Sequence, residues 1–144
     1  MLWNKSLETG IESVDKRNID IFTQLDDLAN IRHEQRKVLQ MLDNLEEFVK
    51  KNFSMEENLH EALDFPDAYL HKSHHKKYIV TLHRFRARYL ENGATLANVI
   101  DFEKNVIEML KHHIACYDMH FAMYYRSRVT SSRLWTPLFA ETGR

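Results

Sequence analysis

The chain has 144 residues, 44% hydrophobic and 28% charged, with a formal net charge of −1. That length suffices for one domain with a core of its own, and the near-neutral balance removes the overall field that draws a basic protein to nucleic acid or to an anionic membrane. The single cysteine, Cys116, excludes an intrachain disulfide and agrees with a reducing compartment.

Three glycines and two prolines leave few breaks, the composition of a helical protein. No window approaches the roughly 20 apolar residues of a membrane span, and Met1-Leu2-Trp3-Asn4-Lys5 lacks the apolar stretch of a secretory signal. A soluble cytoplasmic protein is expected. The basic clusters Lys72/Lys76/Lys77 and Arg84/Arg86/Arg88 read as solvated surface rather than a phosphate footprint.

Residues 1–10 show no periodicity and are expected as an arm anchored by Trp3. From Ile11 the spacing turns helical: Ile11, Val14, Ile21, Phe22, Leu25 and Leu28 share a stripe that runs to about Ala29 and is interrupted by Asn18. A turn is expected over 30–35. The second stripe carries Val38, Met41, Leu42, Leu45, Phe48, Val49, Leu59 and Leu63, with Asn52 and Glu56 on the same face. Buried and unpaired, each polar group would cost about 1–3 kcal/mol, and the charge more. Something must answer Glu56.

Pro66 stops that helix and Asp67 favours a new start. His71 and His75 then fall one turn apart on a third helix, expected from Asp67 to Leu90, in line with Tyr78, Ile79, Leu82, Phe85 and Tyr89. Asn92-Gly93 suits a left-handed cap. Thr95 can cap the fourth helix, whose stripe is Leu96, Val99, Ile100, Val106, Ile107, Leu110, Ile114, Tyr117 and Phe121, flanked by His113 and Asp118. Five residues apart, those two diverge by about 140° at the helical 100° per residue and can share a target only at short range, across the core. Residues 127–144, with Leu134, Trp135, Leu138 and Phe139, are expected as a tail that packs on the bundle or on a partner.

Four amphipathic helices with short connections predict an all-α, up-down-up-down bundle over residues 1–126. Its inward polar set is Asn18, Asn52 and Glu56, His71 and His75, and His113 and Asp118, with every helix represented. Two readings are open. The imidazoles are neutral core groups bonded to neighbours, or they ligate a metal, since histidines four apart on a helix close on one point. No nucleophile–base pair or phosphate loop is evident, which argues against a hydrolase or transferase.

Four motifs in order carry a resemblance: Trp3 followed by Thr9-Gly10-Ile11 and Asp15; Asn52-Phe53-Ser54-Met55-Glu56-Glu57; Pro66 followed by His71 and His75; and His113-Ile114-Ala115-Cys116-Tyr117-Asp118. Over nearly its whole length the chain resembles the hemerythrins, of the short bacterial kind. The resemblance implies a four-helix bundle in which one iron is held by His71, His75 and His113, with Glu56 and Asp118 as the carboxylates that in the family bridge to a second iron. The two histidines of that second iron are replaced here by Asn18 and Asn52.

Neutral amides are far weaker iron ligands than imidazoles, so reversible O2 carriage of the ordinary kind is not expected. The expectation is a mononuclear centre of Glu56, His71, His75, His113 and Asp118, holding iron, or zinc or manganese, and binding or sensing O2, NO or redox state. Met109 stands where the family commonly has a pocket tryptophan, and Leu110 is expected to line that pocket. His60 is expected at a surface edge, His74 and His112 facing outward, and Cys116 as a small buried hydrophobe. The competing readings are a metal-free bundle that serves as an interaction module through the Leu134–Phe139 segment, and a two-iron site completed by Asn18, Asn52 and water.

Overall fold

The computed structural model describes residues 2–135, and every regular element among them is helical. A 3-10 turn, Lys5–Leu7, precedes α1 (Glu12–Asn30), α2 (Gln35–Ala62) and α3 (Ala68–Asn92). The fourth helix, α4, is continuous over 96–135. Its course is interrupted twice by π-helical segments, Phe102–Glu108 and Ile114–Asp118. Helix therefore continues to Trp135, past the boundary expected at Arg126. Leu138 and Phe139 of the expected tail lie outside the described residues, and of Leu134 and Trp135 only the helical backbone is described.

The core follows the apolar stripes. Ile21, Phe22 and Leu25 of α1, Leu42, Leu45 and Val49 of α2, Tyr78 and Leu82 of α3, and Val106, Leu110 and Ile114 of α4 are all essentially inaccessible and form one cluster. Met109 is half-buried and packs against that cluster beside Leu110. The Tyr78 hydroxyl donates to the Val106 carbonyl at 2.8 Å. Val106 lies inside the first π segment, where the i→i+5 pattern disturbs the regular ladder and leaves backbone groups to be answered by side chains.

The arm is tied down by short-range chemistry. Asp15 accepts from the Thr9 amide and hydroxyl, both at 2.8 Å, and from the Gly10 amide at 3.1 Å. Gly10 sits at φ +86, where an L side chain is strained, and a Cβ there would stand 3.2 Å from Arg126 Nη1, which itself donates to the Thr9 carbonyl at 2.7 Å. Trp3 packs on Phe22 with ring centroids 5.7 Å apart.

At the other turns the local signals act as their chemistry requires. Gly93 adopts φ +71 at the end of α3, and Thr95 Oγ1 accepts from the Asn98 amide at 3.2 Å. Between α2 and α3, Tyr124 of α4 donates to the Leu63 and Asp64 carbonyls, which fixes that turn against α4. Asp67 makes no side-chain cap on α3 and pairs instead with His120 of α4 at 2.7 Å.

Two members of the fourth stripe are misplaced by simple periodicity. Leu96 is 76% exposed and Ile100 44%, whereas Asn98 is buried and donates to the Arg88 and Gly93 carbonyls. The reason lies downstream: each π turn absorbs about one extra residue, so a face projected back from Val106 at 3.6 residues per turn meets the first turns of α4 out of register.

Candidate metal centre

Helix α2 presents Asn52, Glu56 and His60 at successive turns, α3 presents His71 and His75, and α4 presents His113 and Asp118; all seven are buried. The second π segment, Ile114–Asp118, changes the α4 geometry. A π turn brings residues five apart nearly into line. His113 and Asp118 therefore point the same way instead of meeting across the core, with His113 Nε2 3.0 Å from Asp118 Oδ1.

Five ligand atoms, one each from Glu56, His71, His75, His113 and Asp118, lie within 4.8 Å of one another. His71 Nε2 is 3.3 Å from His113 Nε2 and 3.1 Å from both Asp118 Oδ1 and Glu56 Oε1, and His75 Nε2 is 2.9 Å from Glu56 Oε1. Donors about 2.1 Å from one ion stand about 3.0 Å apart when adjacent at right angles. The spacing therefore fits a single cation, and the donor set of nitrogen and carboxylate oxygen suits iron, zinc or manganese.

Outside these atoms two of the three imidazoles have partners for the other ring nitrogen. His75 Nδ1 lies 2.7 Å from Glu57 Oε2, and His113 Nδ1 lies 3.1 Å from His74 Nδ1. Such bonds hold a ring with Nε2 forward. Phe53 stacks on His75 at 3.9 Å with a 7° tilt, and Tyr117 stacks on His74 at 4.0 Å. His71 Nδ1 has no partner among the described residues.

The electrostatics follow from burial and contact. Burial disfavours a charged His71, yet the bonds to Asp118 and Glu56 outweigh it and push the ring up to about 9. Burial also opposes charge on His75, and Glu56 and Glu57 raise it regardless. Glu56 is held below its ordinary value because His71 and His75 overcome both desolvation and the repulsion of Asp118. Asp118 is held well below its own against desolvation, by His113 and His71.

Asn18 and Asn52 behave differently from one another. Asn18 Nδ2 donates to Asp118 Oδ2 at 3.1 Å, occupying the carboxylate oxygen that faces away from the imidazoles. Asn52 Nδ2 and Glu56 Oε2 are buried without a partner among the described residues.

Three expectations are corrected. His60 is not at a surface edge: it is 1% exposed, its ring 4.3 Å from Phe121, 5.1 Å from Phe65 and 4.4 Å from His71. It continues the Asn52–Glu56 row by one further turn, and that spacing was the signal that placed it inside. Desolvation, together with the neighbouring His71, lowers it to about 4. His74 is half-buried and turned towards His113, because the π segment brings Tyr117 under it as a stacking surface. Cys116 is exposed, with its thiol 3.6 Å from Nε2 of the exposed His112. A cavity of about 250 Å³, lined by Phe65, Leu70, His71, Cys116, Tyr117 and His120 among others, leads from this surface to the His71 ring.

Fold and site together define an all-helical protein with a buried cluster of three histidines and two carboxylates that could hold a metal ion. The chain matches no family model, no characterised protein and no solved structure. None of its described helices is long and apolar enough to cross a membrane.

Proposed function

We propose that the chain is a hemerythrin-like up-down-up-down bundle with one non-haem iron per molecule, and that it binds or senses O2, NO or redox state. The observation that carries this reading is the convergence of five buried ligand atoms at separations expected around one cation. Iron held in such a set supplies a redox-active centre that takes a small diatomic ligand. Glu56, His71, His75, His113 and Asp118 would hold it. Glu57 and His74 orient two of the three imidazoles, and Phe53 covers His75 against water.

The Asn18 amide favours one ion over two. It spends a hydrogen on Asp118 Oδ2, the oxygen left over from the imidazole side, through which that carboxylate would reach a second ion. A metal-free reading must leave His75 Nε2, one of the five converging atoms, buried without a hydrogen-bond partner among the described residues, at about 1–3 kcal/mol if water does not satisfy it.

Elemental analysis of protein from iron-supplemented medium tests the proposal. One iron per chain is expected. None under any reconstitution would favour the interaction module, and two per chain would favour a site completed by the amides.

A further inference from the structure

His60 is a buried imidazole that the five-ligand centre leaves without a task. Its two nitrogens have no partner among the described residues, and its neighbours include the apolar faces of Phe65 and Phe121. Adjacent to it, His71 Nδ1 is the one outer nitrogen of the three ligand imidazoles that lacks a protein partner. Two unsatisfied imidazoles thus lie in contact, ring centroids 4.4 Å apart with a 43° tilt.

We infer that His60 is a positioning residue of the centre, accepting a hydrogen bond from His71 Nδ1–H and so turning His71 Nε2 towards the ion. The inference rests on the metal-centre reading. Once His71 Nε2 is committed to a cation, its proton must reside on Nδ1, and a proton in that apolar surrounding requires an acceptor. Neutral imidazole has one lone-pair nitrogen to give. The pairing asks for a turn of the His60 ring about Cβ–Cγ, a torsion with broad minima. With it, each ligand imidazole has its own outer partner: Glu57 for His75, His74 for His113, His60 for His71.

The bond also explains why an imidazole is placed eight residues after Asn52 on the face that carries Glu56. An apolar residue would fill the space beside Phe121 as well, but it would leave His71 Nδ1–H buried and unanswered. That loosens the ring that contacts both Glu56 and Asp118, each at 3.1 Å. Loss of an outer partner typically costs about 10–100-fold in metal affinity.

Zinc ion serves as the probe, with the full chain, because it is spectroscopically silent and suits the donor set. Zinc affinity is read by competition with a chromophoric chelator, and the His71 ring by ¹⁵N NMR of the zinc-loaded protein. His60→Leu is expected to weaken zinc binding about 10–100-fold and to abolish the hydrogen-bonded His71 Nδ1–H signal. His60→Gln, whose amide oxygen still accepts, is expected to restore most of both. Wild-type affinity and an unchanged His71 signal in His60→Leu would overturn the inference while leaving the metal centre intact. Failure of the wild-type chain to bind zinc or iron would overturn both. If His60→Leu does not fold, the zinc-loaded wild type decides alone: coupling across the hydrogen bond between His71 Nδ1 and a His60 nitrogen is expected, and its absence overturns the inference.

Discussion

On one side of the buried cluster His71, His75 and His113 turn Nε2 towards a common point. On the other, Asn18 donates to Asp118, and Asn52 lies buried one turn before Glu56. The imidazole side and the carboxylates present lone pairs to one another, so only protons or a cation can hold those atoms at 2.9–3.3 Å. The amide side brings its own hydrogens: Asn18 closes on Asp118 Oδ2 at 3.1 Å with no ion between. An amide at this place therefore does more than ligate weakly. It answers the carboxylate with a hydrogen bond from a neutral group where an imidazole would need a proton or a cation between.

The largest expected contrast between the sides is in metal content. His113→Ala removes one of three converging nitrogens and is expected to abolish binding, measured as metal per chain after dialysis, whereas Asn52→Ala is expected to leave it unchanged. Equal losses in both variants would erase the distinction.

The next contrast is in pH. In the metal-free protein His71 is raised to about 9, so its contribution to stability is fully present below the unfolded value of 6.5 and is lost as pH rises through about 9. The loss is on the order of 3 kcal/mol at most. His60, lowered to about 4, contributes stability present above 6.5 and lost as pH falls through about 4. Glu56 and Asp118, both lowered, add a further loss at still lower pH. Urea midpoints of metal-free protein are therefore expected to peak near pH 6.5 and fall on both sides. Because a bound ion displaces the proton of His71 and that of His75, also raised, zinc affinity is expected to climb towards pH 9 by at most about tenfold per pH unit for each proton displaced, and the alkaline loss of stability is expected to vanish in loaded protein.

Smaller effects separate the two amides. Asn18→Leu strips Asp118 Oδ2 of its donor and is expected to cost about 1–3 kcal/mol in urea unfolding, with metal content still one per chain. Asn52→Ala removes a buried amide whose Nδ2 has no protein partner, and a smaller loss than that of Asn18→Leu is expected in the same measurement.

Helix identity was legible in the sequence because its causes are local: apolar spacing, Pro66, Asn92-Gly93 and the Thr95 cap all act within a turn or two. Glu56, His71 and His75 were legible for a related reason, since they interrupt apolar stripes at the spacing of a turn, whereas His113 and Asp118, five apart, joined them as ligands only through the resemblance to the hemerythrins. The α4 register was not legible, because π segments leave no mark in a 3.6-residue periodicity. Leu96 and Ile100 were expected inside and stand exposed.

By itself, then, the chain determined which residues form helices and which polar side chains interrupt the apolar faces, both being properties of neighbours along the backbone. Only tertiary structure decided that His60 touches His71, that His74 turns to His113 and that Cys116 faces outward. The first contact joins α2 to α3, the second joins α3 to α4, and Cys116 lies in the π segment where α4 takes up an extra residue; rotation about a helix axis is decided by packing rather than by any short stretch of sequence.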